Sequence, residues 1–331
     1  MEQALALTAS VIVPARNAGA TLPACLQALE RQTAGGRILE IIVVDDGSSD
    51  DTAEIARRAG AVVLQLPGRG AAAARNLGAR QARGAILLFT DADCEPAPDW
   101  AEAMLAPFAE AEVVGVKGTY CTRQQELTAR FVQLEYEDKY RRMARRRYID
   151  FIDTYSAGYR RDIFLRYGGF DESFPRANVE DQEFSFRLAA AGHKMVFQPR
   201  AVVCHQHAAN LPAYVRKKFW IGFWKVKVHL RHPGKAVDDS HTPPVLKLQI
   251  LLLGLACMGL IAGLFWRSGW TLAGASLAAF LVSTIPFCVR AWSRDRTVAL
   301  LAPAFLLARA GALGFGLAAG ILTNLLRALR R

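Results

Sequence analysis

Long segments without charged residues in the last quarter of the chain constrain its fold more than any other feature. Residues 248–266 and 269–289 carry no charge, and residues 297–326 are interrupted only by Arg309. Each is close to the ~20 apolar residues that a helix needs to cross a bilayer. Core helices of soluble proteins are rarely so long and so free of charge. The sequence therefore predicts a soluble domain at 1–210, an amphipathic interface helix and linker at 211–245, and a transmembrane region at 246–331, with helices at about 246–266, 269–289 and 297–326.

The charges around these segments predict which side of the membrane the soluble domain occupies. Residues 1–10 show no basic region of a secretory signal. We therefore expect a multi-pass inner-membrane protein with a cytoplasmic catalytic domain, in which the arginine-rich loop 290–296 is also cytoplasmic. The sequence leaves two topologies for the third segment. It either spans the bilayer with Arg309 turned towards protein, or it is re-entrant or tilted. The second topology is considered because a full crossing would leave Arg327, Arg330 and Arg331 outside.

The six cysteines lack the paired spacing of a zinc site, and two of them, Cys257 and Cys288, fall in the apolar segments. Thiols of cytoplasmic domains stay reduced. We therefore interpret all six as reduced packing residues.

The formal net charge of +11 does not indicate a nucleic-acid partner. No helix-turn-helix pattern or aromatic RNA-binding motif accompanies the charge. The basic residues cluster at 139–147, at 216–218 and around the apolar segments. We expect these clusters to contact anionic lipid headgroups, so that the membrane is the partner and nucleic acid is not.

The first hundred residues alternate between short apolar runs and segments with helical spacing. Strands are predicted at 10–14, 39–44, 62–66 and 85–90, and helices at 21–32, 53–59 (with Ser48 or Ser49 as N-cap) and 69–82. This alternation is typical of right-handed βαβ units with parallel strands. Further along we predict helices at 102–109, 124–148, 180–191 and 211–229, strands at 113–120 and 195–203, and a strand–turn–helix unit beginning at 155–162. The predicted fold class is α/β, a doubly wound mixed sheet followed by a transmembrane helical region.

Two of the predicted strands end in pairs of acids. Asp45 and Asp46 follow one apolar run, and Asp91 and Asp93 follow another. Ligands of such sheets bind outside the carboxyl ends of the strands, where both pairs fall. Hard divalent cations are held by one or two carboxylates together with substrate phosphates. The pattern predicts a site for Mg²⁺ or Mn²⁺ beside a diphosphate.

Six short motifs in order resemble the signature of the family 2 glycosyltransferases, inverting enzymes of the GT-A fold. Each motif alone is weak, but six at sensible intervals make the resemblance specific over roughly residues 8–235. The C-terminal part resembles membrane-bound members that glycosylate lipid carriers or growing glycans. The resemblance therefore implies a nucleotide-diphosphate sugar donor, a divalent cation (Mn²⁺ or Mg²⁺), and a lipid-linked or glycan acceptor. The motifs are residues 11–17 (VIVPARN), 43–48 (VVDDGS), 75–78 (RNLG), 91–93 (DAD), 168–172 (GGFDE) and 180–181 (ED).

The resemblance also implies roles for individual donor-binding residues. The segment Pro14, Ala15 and Arg16 would line the nucleotide pocket. Asp46, or with less support Asp45, would accept a hydrogen bond from the base. Asp91 would contact the ribose or the sugar.

The remaining roles concern the metal, the base and the edge of the donor site. Asp93 would bind the metal that bridges the diphosphate. Asp181, beside Glu180 at a helix start, would be the general base, although a phosphate acceptor, already anionic, would need none. His205, after the last strand, has two interpretations, a place near the metal or the leaving diphosphate and a structural role. Arg69 could reach the base or a phosphate, or be an ordinary surface charge.

Two further groups are candidates for acceptor or membrane contact. Arg145 and Arg146, at the basic end of the predicted helix 124–148, suit bidentate recognition of a phosphate, or rest on anionic lipid. Trp220 and Trp224 share one helical face and would either flank the acceptor or anchor the helix in the membrane interface.

The function we expect is transfer of a single sugar to a lipid carrier, lipid or cell-envelope glycan at the cytoplasmic face of the membrane. One alternative is a processive polysaccharide synthase, but the Gln-x-x-Arg-Trp motif usual in processive members is missing around residues 216–220 and the membrane helices are few. Another is a catalytically inactive membrane scaffold, which the intact Asp93 and Asp181 disfavour.

Overall fold

The computed structural model describes residues 7–174 and 179–329. They fall into two compact units, the first made of residues 1–123 and 140–206 and the second of residues 124–139 and 207–331. Arg330 and Arg331, which enter the topology prediction, lie outside the described residues.

The first unit is built on eight strands. They are β1 (Ala9–Ala15), β2 (Ile38–Asp45), β3 (Val62–Gln65), β4 (Ile86–Phe89), β5 (Cys94–Pro96), β6 (Val113–Cys121), β7 (Ala157–Arg160) and β8 (Lys194–His205). Its helices are α1 (Leu22–Glu30), α2 (Thr52–Arg58), α3 (Ala71–Gln81), α4 (Trp100–Leu105), α6 (Arg161–Arg166) and α7 (Glu180–Ala190). Helix α5 (Leu127–Met143) lies mostly in the second unit.

The strands form one mixed sheet in the order β3-β2-β1-β4-β7-β6-β8-β5. The first four are parallel, as the βα alternation predicts. Strand β7 is antiparallel to both β4 and β6, β8 is parallel to β6, and β5 is antiparallel to β8. The predicted α/β class with a mixed sheet is therefore confirmed.

The central strands explain why the acids reach solvent only at the sheet edge. All four residues of β4 and nearly all of β1 are buried. Continuous apolar strands of this kind are typical of parallel sheets covered by helices on both faces. Because polar side chains are excluded from this core, the acids that follow β2 and β4 lie where the strands end.

Two details of this unit differ from the sequence prediction. The residue at the N-cap of α2 is Asp51, and neither Ser48 nor Ser49 occupies it. The hydroxyl of Ser48 instead accepts a hydrogen bond from the N–H of Asn17 at 2.9 Å, because the loop after β2 folds against the end of β1. Strand β5, only three residues long, was not predicted because so short a segment carries no periodic signal.

The interpretation of all six cysteines as reduced packing residues is also wrong for one pair. The structure joins Cys121 and Cys204 in a disulfide, 83 residues apart in sequence. The two are register partners on the neighbouring strands β6 and β8, which brings their Cα atoms to 4.5 Å. Cys25, Cys94, Cys257 and Cys288 are free.

The second unit is helical. Besides most of α5 it contains α8 (Leu211–Arg231), α9 (Gly234–Val237), α10 (Pro244–Gly263), α11 (Arg267–Trp292) and α12 (Arg296–Leu329). Helices α10, α11 and α12 are long and apolar enough to cross a membrane. Their bounds match the three predicted segments to within a few residues.

Helix α5 is shorter than the predicted 124–148, and its first half belongs to the core of the helical unit. Phe131 stacks on Phe305 of α12 at 4.7 Å and packs against Phe287 of α11. The apolar side of α5 is thus buried against α11 and α12. Arg309 of α12 faces protein, since its side chain is buried and pairs with Glu135 of α5 at 3.3 Å.

Candidate active site

An open cleft of about 530 Å³ lies at the carboxyl ends of β1, β2 and β4. This volume is in the range of sites for small molecules, and this position is where α/β sheets bind their ligands. The residues that line it come from four segments: Pro14, Ala15, Arg16, Asn17, Ala18 and Thr21; Asp46; Gly70, Ala71 and Arg75; and Asp91, Ala92 and Asp93. Six of the residues singled out in the sequence meet here.

The structure separates the roles of Asp45 and Asp46. Asp46 lines the cleft, and its two carboxylate oxygens accept the backbone N–H groups of Arg69 and Gly70 at 2.6 and 2.7 Å. Asp45 is as buried as Asp46, but it does not line the cleft, and it accepts the N–H of Ser48 at 3.0 Å. Of the two candidates for base recognition, Asp46 is therefore the one that reaches the ligand space. Its hydrogen bonds also fix the loop that precedes α3.

Arg69 itself points elsewhere. Its guanidinium pairs with Glu172 at 3.2 Å, its side chain is 61% exposed, and it does not line the cleft. Such an exposed pair contributes little to stability. The surface-charge interpretation of Arg69 is the one that this geometry favours.

Arg75 is a residue of the cleft wall that the sequence prediction did not single out. It lies on α3, its side chain is only 3% exposed, and it lines the cleft. One guanidinium nitrogen bonds Asp91 at 2.7 Å and another bonds Glu180 at 3.0 Å. Arg75 therefore ties the acid at the end of β4 to the start of α7. The sequence showed that Arg75 belongs to the motif at 75–78. It could not show the two ion pairs, because the partner residues lie in distant segments of the chain.

The neighbouring Asn76 holds the GGFDE loop. Its side-chain amide donates to the carbonyl of Phe170 at 2.8 Å and accepts the N–H of Phe170 at 2.9 Å. Gly169 has a φ of +65°, and a Cβ there would collide with the Asn76 side chain. The glycine is therefore required by both its backbone conformation and this close approach.

The acids at the start of α7 differ in environment. Glu180 is buried and bonded to Arg75, whereas Asp181 is partly exposed. Burial, together with the charges of Glu180 and Asp153, raises the pKa of Asp181 well above its ordinary value, against the opposing charge of Arg75. A carboxylate with a raised pKa is a better proton acceptor near neutral pH. The raised pKa of Asp181 is compatible with its predicted role as the base, which stays a prediction, and Glu180 is held by its bond to Arg75.

Asp93 and His205 come together through β5. Because β5 is antiparallel to β8, Cys94 lies opposite His205 in the register. The carboxylate of Asp93 is 3.3 Å from Nδ1 of His205, and the imidazole stacks on Tyr120 with ring centres 4.8 Å apart. The sequence could not show this pairing, because it depends on a three-residue strand.

This pair fits a divalent cation. Asp93, Cys94 and His205 offer ligand atoms within 4.8 Å of one another, and Asp93 is 43% exposed. Carboxylate oxygen suits Mg²⁺ and Mn²⁺, whereas a thiolate selects softer metals. Cys94 is fully buried, so the accessible ligands are the Asp93 carboxylate and the His205 imidazole. We assign the candidate metal site to these two side chains.

The candidates for acceptor or membrane contact do not line the cleft. Arg145 and Arg146 follow the end of α5 in the first unit and are exposed. Trp220 and Trp224 lie on α8 in the second unit, and Trp220 is 39% exposed. Their predicted roles stay predictions.

Comparisons with known proteins agree with this geometry. Residues 10–168 match the domain described as glycosyl transferase family 2. Glycosyltransferase AglE of Haloferax volcanii is 29% identical over 235 residues, which cover 66% of this chain and 73% of that protein. Pre-mycofactocin glycosyltransferase of Mycobacterium tuberculosis is 27% identical over 267 residues, 77% of this chain and 54% of that protein, so the chain spans only about half of this relative.

Solved structures show the same fold. Mannosyltransferase PcManGT from Pyrobaculum calidifontis, determined in complex with GDP-Man and Mn²⁺, has a TM-score of 0.61 at 20% identity and covers 95% of this chain and 86% of its own. GalNAc-T7, determined with UDP, GalNAc and Mn²⁺, has a TM-score of 0.51 at 19% identity over 72% of this chain and 53% of its own. These likenesses show that the fold is GT-A, and the family match shows that residues 10–168 form a glycosyl transferase family 2 domain.

Proposed function

We propose that the protein is a membrane-anchored, metal-dependent inverting glycosyltransferase. It moves one sugar from a nucleotide-diphosphate sugar to a lipid carrier, lipid or cell-envelope glycan at the cytoplasmic face of the membrane. One observation carries this proposal: Arg75 bonds both Asp91, which lines the cleft, and Glu180, which precedes Asp181. Arg75 thereby ties an acid of the cleft wall to the start of the helix that carries Asp181.

The donor would occupy the cleft at the strand ends. Asp46 and the backbone at Pro14 and Ala15, which line the cleft, would contact the nucleotide base, and Asp91 would hold a ribose or sugar hydroxyl. Two proteins with a similar fold are described in complex with GDP-Man or with UDP, which supports a nucleotide-linked donor here.

A divalent cation would be held by Asp93 and His205. When bound, it supplies Lewis-acid stabilisation of the diphosphate leaving group. Asp93 lines the donor cleft, so its carboxylate would hold the cation on the side where the diphosphate lies.

Asp181 would take the proton of the acceptor hydroxyl. In a single displacement, the acceptor oxygen bonds to the anomeric carbon as the bond from that carbon to the diphosphate oxygen breaks. The proton passes to the Asp181 carboxylate, and the configuration at the sugar inverts. A positioned base of this kind contributes typically ~10²–10⁴-fold.

The helical unit would anchor this chemistry to a membrane. Helices α10, α11 and α12 have the length and hydropathy for crossing a bilayer. A membrane-bound enzyme is suited to acceptors that are themselves lipids or are carried by lipids. We propose these as the acceptor class.

The metal role is tested with the full-length protein in detergent. The protein is incubated with a panel of nucleotide sugars, with and without Mn²⁺, and released nucleotide diphosphate is measured. We expect Asp93→Ala to lower turnover by at least ~10²-fold, since the cation is worth several kcal/mol of charge stabilisation. Asp162→Ala, which removes an exposed acid of α6 (65% exposed), is the control and should keep wild-type turnover. Turnover that is indifferent to a chelator would contradict the metal role.

The side of the membrane is tested through Cys121 and Cys204. Cytoplasmic thiols are kept reduced. If the catalytic domain is cytoplasmic, both cysteines should be alkylated by membrane-permeant N-ethylmaleimide in intact cells, and their disulfide should form only after the protein is purified in air. Peptide mass spectrometry after rapid quenching distinguishes the two states. A disulfide already present in the quenched cells would place the domain on the oxidising side.

A further inference from the structure

A cavity of about 240 Å³ lies among α5, α10, α11 and α12 of the helical unit. Apolar side chains line part of it, and the polar residues in its wall are Glu135, Asp138, Gln249, Ser283, Arg290 and Arg309. Sites for whole drug-sized molecules begin at ~300 Å³. The cavity therefore suits a small charged group rather than a sugar nucleotide.

If α10, α11 and α12 cross a bilayer as proposed, the cavity lies near one of its surfaces. Its wall contains Pro243, just before α10 begins, and Arg290, in the last turn of α11. It thus lies at the end of the α10–α11 pair where one helix begins and the other ends. Basic pockets between membrane helices at this level bind lipid head groups.

The charges next to the cavity are unbalanced. The buried carboxylate of Glu135 is bonded to Lys218 at 3.1 Å and to Arg309 at 3.3 Å, and the buried Lys139 also acts on it. Burial raises the pKa of Glu135, but these three cations outweigh burial and lower it, so that the acid is ionised. Three cations, Lys139, Lys218 and Arg309, therefore surround the Glu135 carboxylate, whereas Asp138, the other acid of the cavity wall, is paired with Arg290 at 2.6 Å.

The excess of positive charge contributes to a lowered pKa of Lys218. Burial lowers the pKa of Lys218 to about 7, against the attraction of Glu135 and with the repulsion of Lys139 and Arg309. Buried charges that lack compensation are costly. An additional anion beside the cluster would remove this cost.

Arg309 lines the cavity and has one donor without a partner among the described residues. One terminal nitrogen bonds Glu135 and the other bonds the side-chain oxygen of Gln249 at 2.8 Å. Its Nε is buried without a hydrogen-bond partner, although the residue is only 3% exposed. A buried unsatisfied donor is unfavourable and suggests that a ligand atom completes the site.

We propose that this cavity binds the phosphate group of an anionic membrane lipid. The phosphate accepts a hydrogen bond from Nε of Arg309, and its negative charge offsets the excess of cations around Glu135. Arg290 stays paired with Asp138 at 2.6 Å in the same wall, so it neutralises that acid and does not serve as the main phosphate ligand. The acyl chains extend along the apolar helices. This site rests on the membrane embedding in the proposed function and is independent of the sugar-transfer chemistry.

The test uses the full-length protein, delipidated in detergent and titrated with phosphatidylglycerol. Native mass spectrometry should show one tightly held phosphatidylglycerol per chain, and weaker binding of zwitterionic phosphatidylcholine. Arg309→Lys keeps the positive charge but removes the fork of donors, so it should weaken this binding by roughly tenfold. Arg267→Gln, an exposed arginine at the opposite end of α11, should leave the binding unchanged.

A second measurement separates binding from folding. In nanodiscs of phosphatidylcholine alone, wild type and Arg309→Lys should melt at similar temperatures. Adding 20 mol% phosphatidylglycerol should raise the melting temperature of the wild type and not that of the variant. Equal lipid binding by both proteins would overturn the proposal. So would equal stabilisation by inorganic phosphate without anionic lipid, since the ligand would then be soluble. Neither result would bear on the Asp93→Ala assay.

Discussion

Two buried charge clusters, one in each unit, have opposite balance. In the sheet unit, the single cation Arg75 lies between the acids Asp91 and Glu180, with Asp181 adding to the negative charge. In the helical unit, the single acid Glu135 is surrounded by cations. The first arrangement favours a bound cation and proton abstraction, and the second favours a bound anion. The burial of a charge cluster therefore does not indicate which kind of ion it binds, whereas the sign of its net charge does.

The two clusters also differ in access to solvent. Asp91 and Asp181 are partly exposed, so the negative cluster opens towards the donor cleft. Glu135, Lys139 and Arg309 are all less than 10% exposed. An open cluster can exchange a proton or a ligand during each turnover. A closed cluster is suited to a ligand that stays bound.

The largest effect should come from removing the base of the negative cluster. Asp181→Asn keeps the shape of the side chain but cannot accept a proton, so kcat should fall by ~10²–10⁴-fold. The KM for the nucleotide sugar should change little, because Asp181 does not line the donor cleft. Steady-state kinetics with saturating acceptor measure both quantities.

Asp162→Asn, at an exposed acid of α6, is the control for this loss, because it makes the same chemical change away from the cleft. It should keep the kcat of the wild type. A kcat for Asp181→Asn within a few-fold of the wild type would contradict the base role, and would indicate an acceptor such as a phosphate that needs no deprotonation.

The next largest effect should come from replacing the arginine of each cluster, which tests how far the stability depends on that positive charge. Arg75→Gln leaves Asp91 and Glu180 without their cation, and breaking a buried pair costs about 3–5 kcal/mol. Arg309→Gln should cost less, about 1–2 kcal/mol, because Glu135 keeps Lys218 and Lys139 and loses only hydrogen bonds to the arginine. Unfolding in one detergent compares the two variants.

Double variants sharpen this comparison. Arg75→Gln with Glu180→Gln should recover much of the stability lost in Arg75→Gln, because the uncompensated buried carboxylate is gone. Arg309→Gln with Glu135→Gln should be less stable than Arg309→Gln alone, because Lys218 and Lys139 would lose their only acid in the cluster. If both arginine variants cost the same, the contrast between the clusters is wrong.

The parallel half of the sheet could be predicted from sequence because its signals are local. Strands β1, β2 and β4 are continuous apolar runs, and parallel βα units place their ends, and so Asp46, Asp91 and Asp93, at one edge. The order of the motifs then pointed to the chemistry.

Pairings between distant segments could not be predicted in this way. Arg75 and Glu180 are 105 residues apart, and their contact depends on the antiparallel β7 and on how α7 follows it. The Cys121–Cys204 pair needs the register of β6 and β8. Helix α5 has an amphipathic pattern, but nothing in that pattern shows that the partner of Glu135 is an arginine 174 residues later.

The smallest effect concerns pH and follows from the raised pKa of Asp181. The base must be ionised, so kcat/KM should fall as the pH drops through this pKa, at a higher pH than for an ordinary carboxylate.

The free energy of unfolding should depend on pH in the opposite direction. The native state holds the proton more tightly than the unfolded chain, so Asp181 costs stability as the pH rises from its ordinary pKa to its raised one, by about 1.4 kcal/mol for each tenfold difference in proton affinity. Asp181→Asn should therefore be more stable than the wild type above neutral pH and equal to it at acidic pH. Melting temperatures of the two proteins between pH 5 and pH 9 measure this difference, and parallel curves would show that Asp181 is not held at an unfavourable charge.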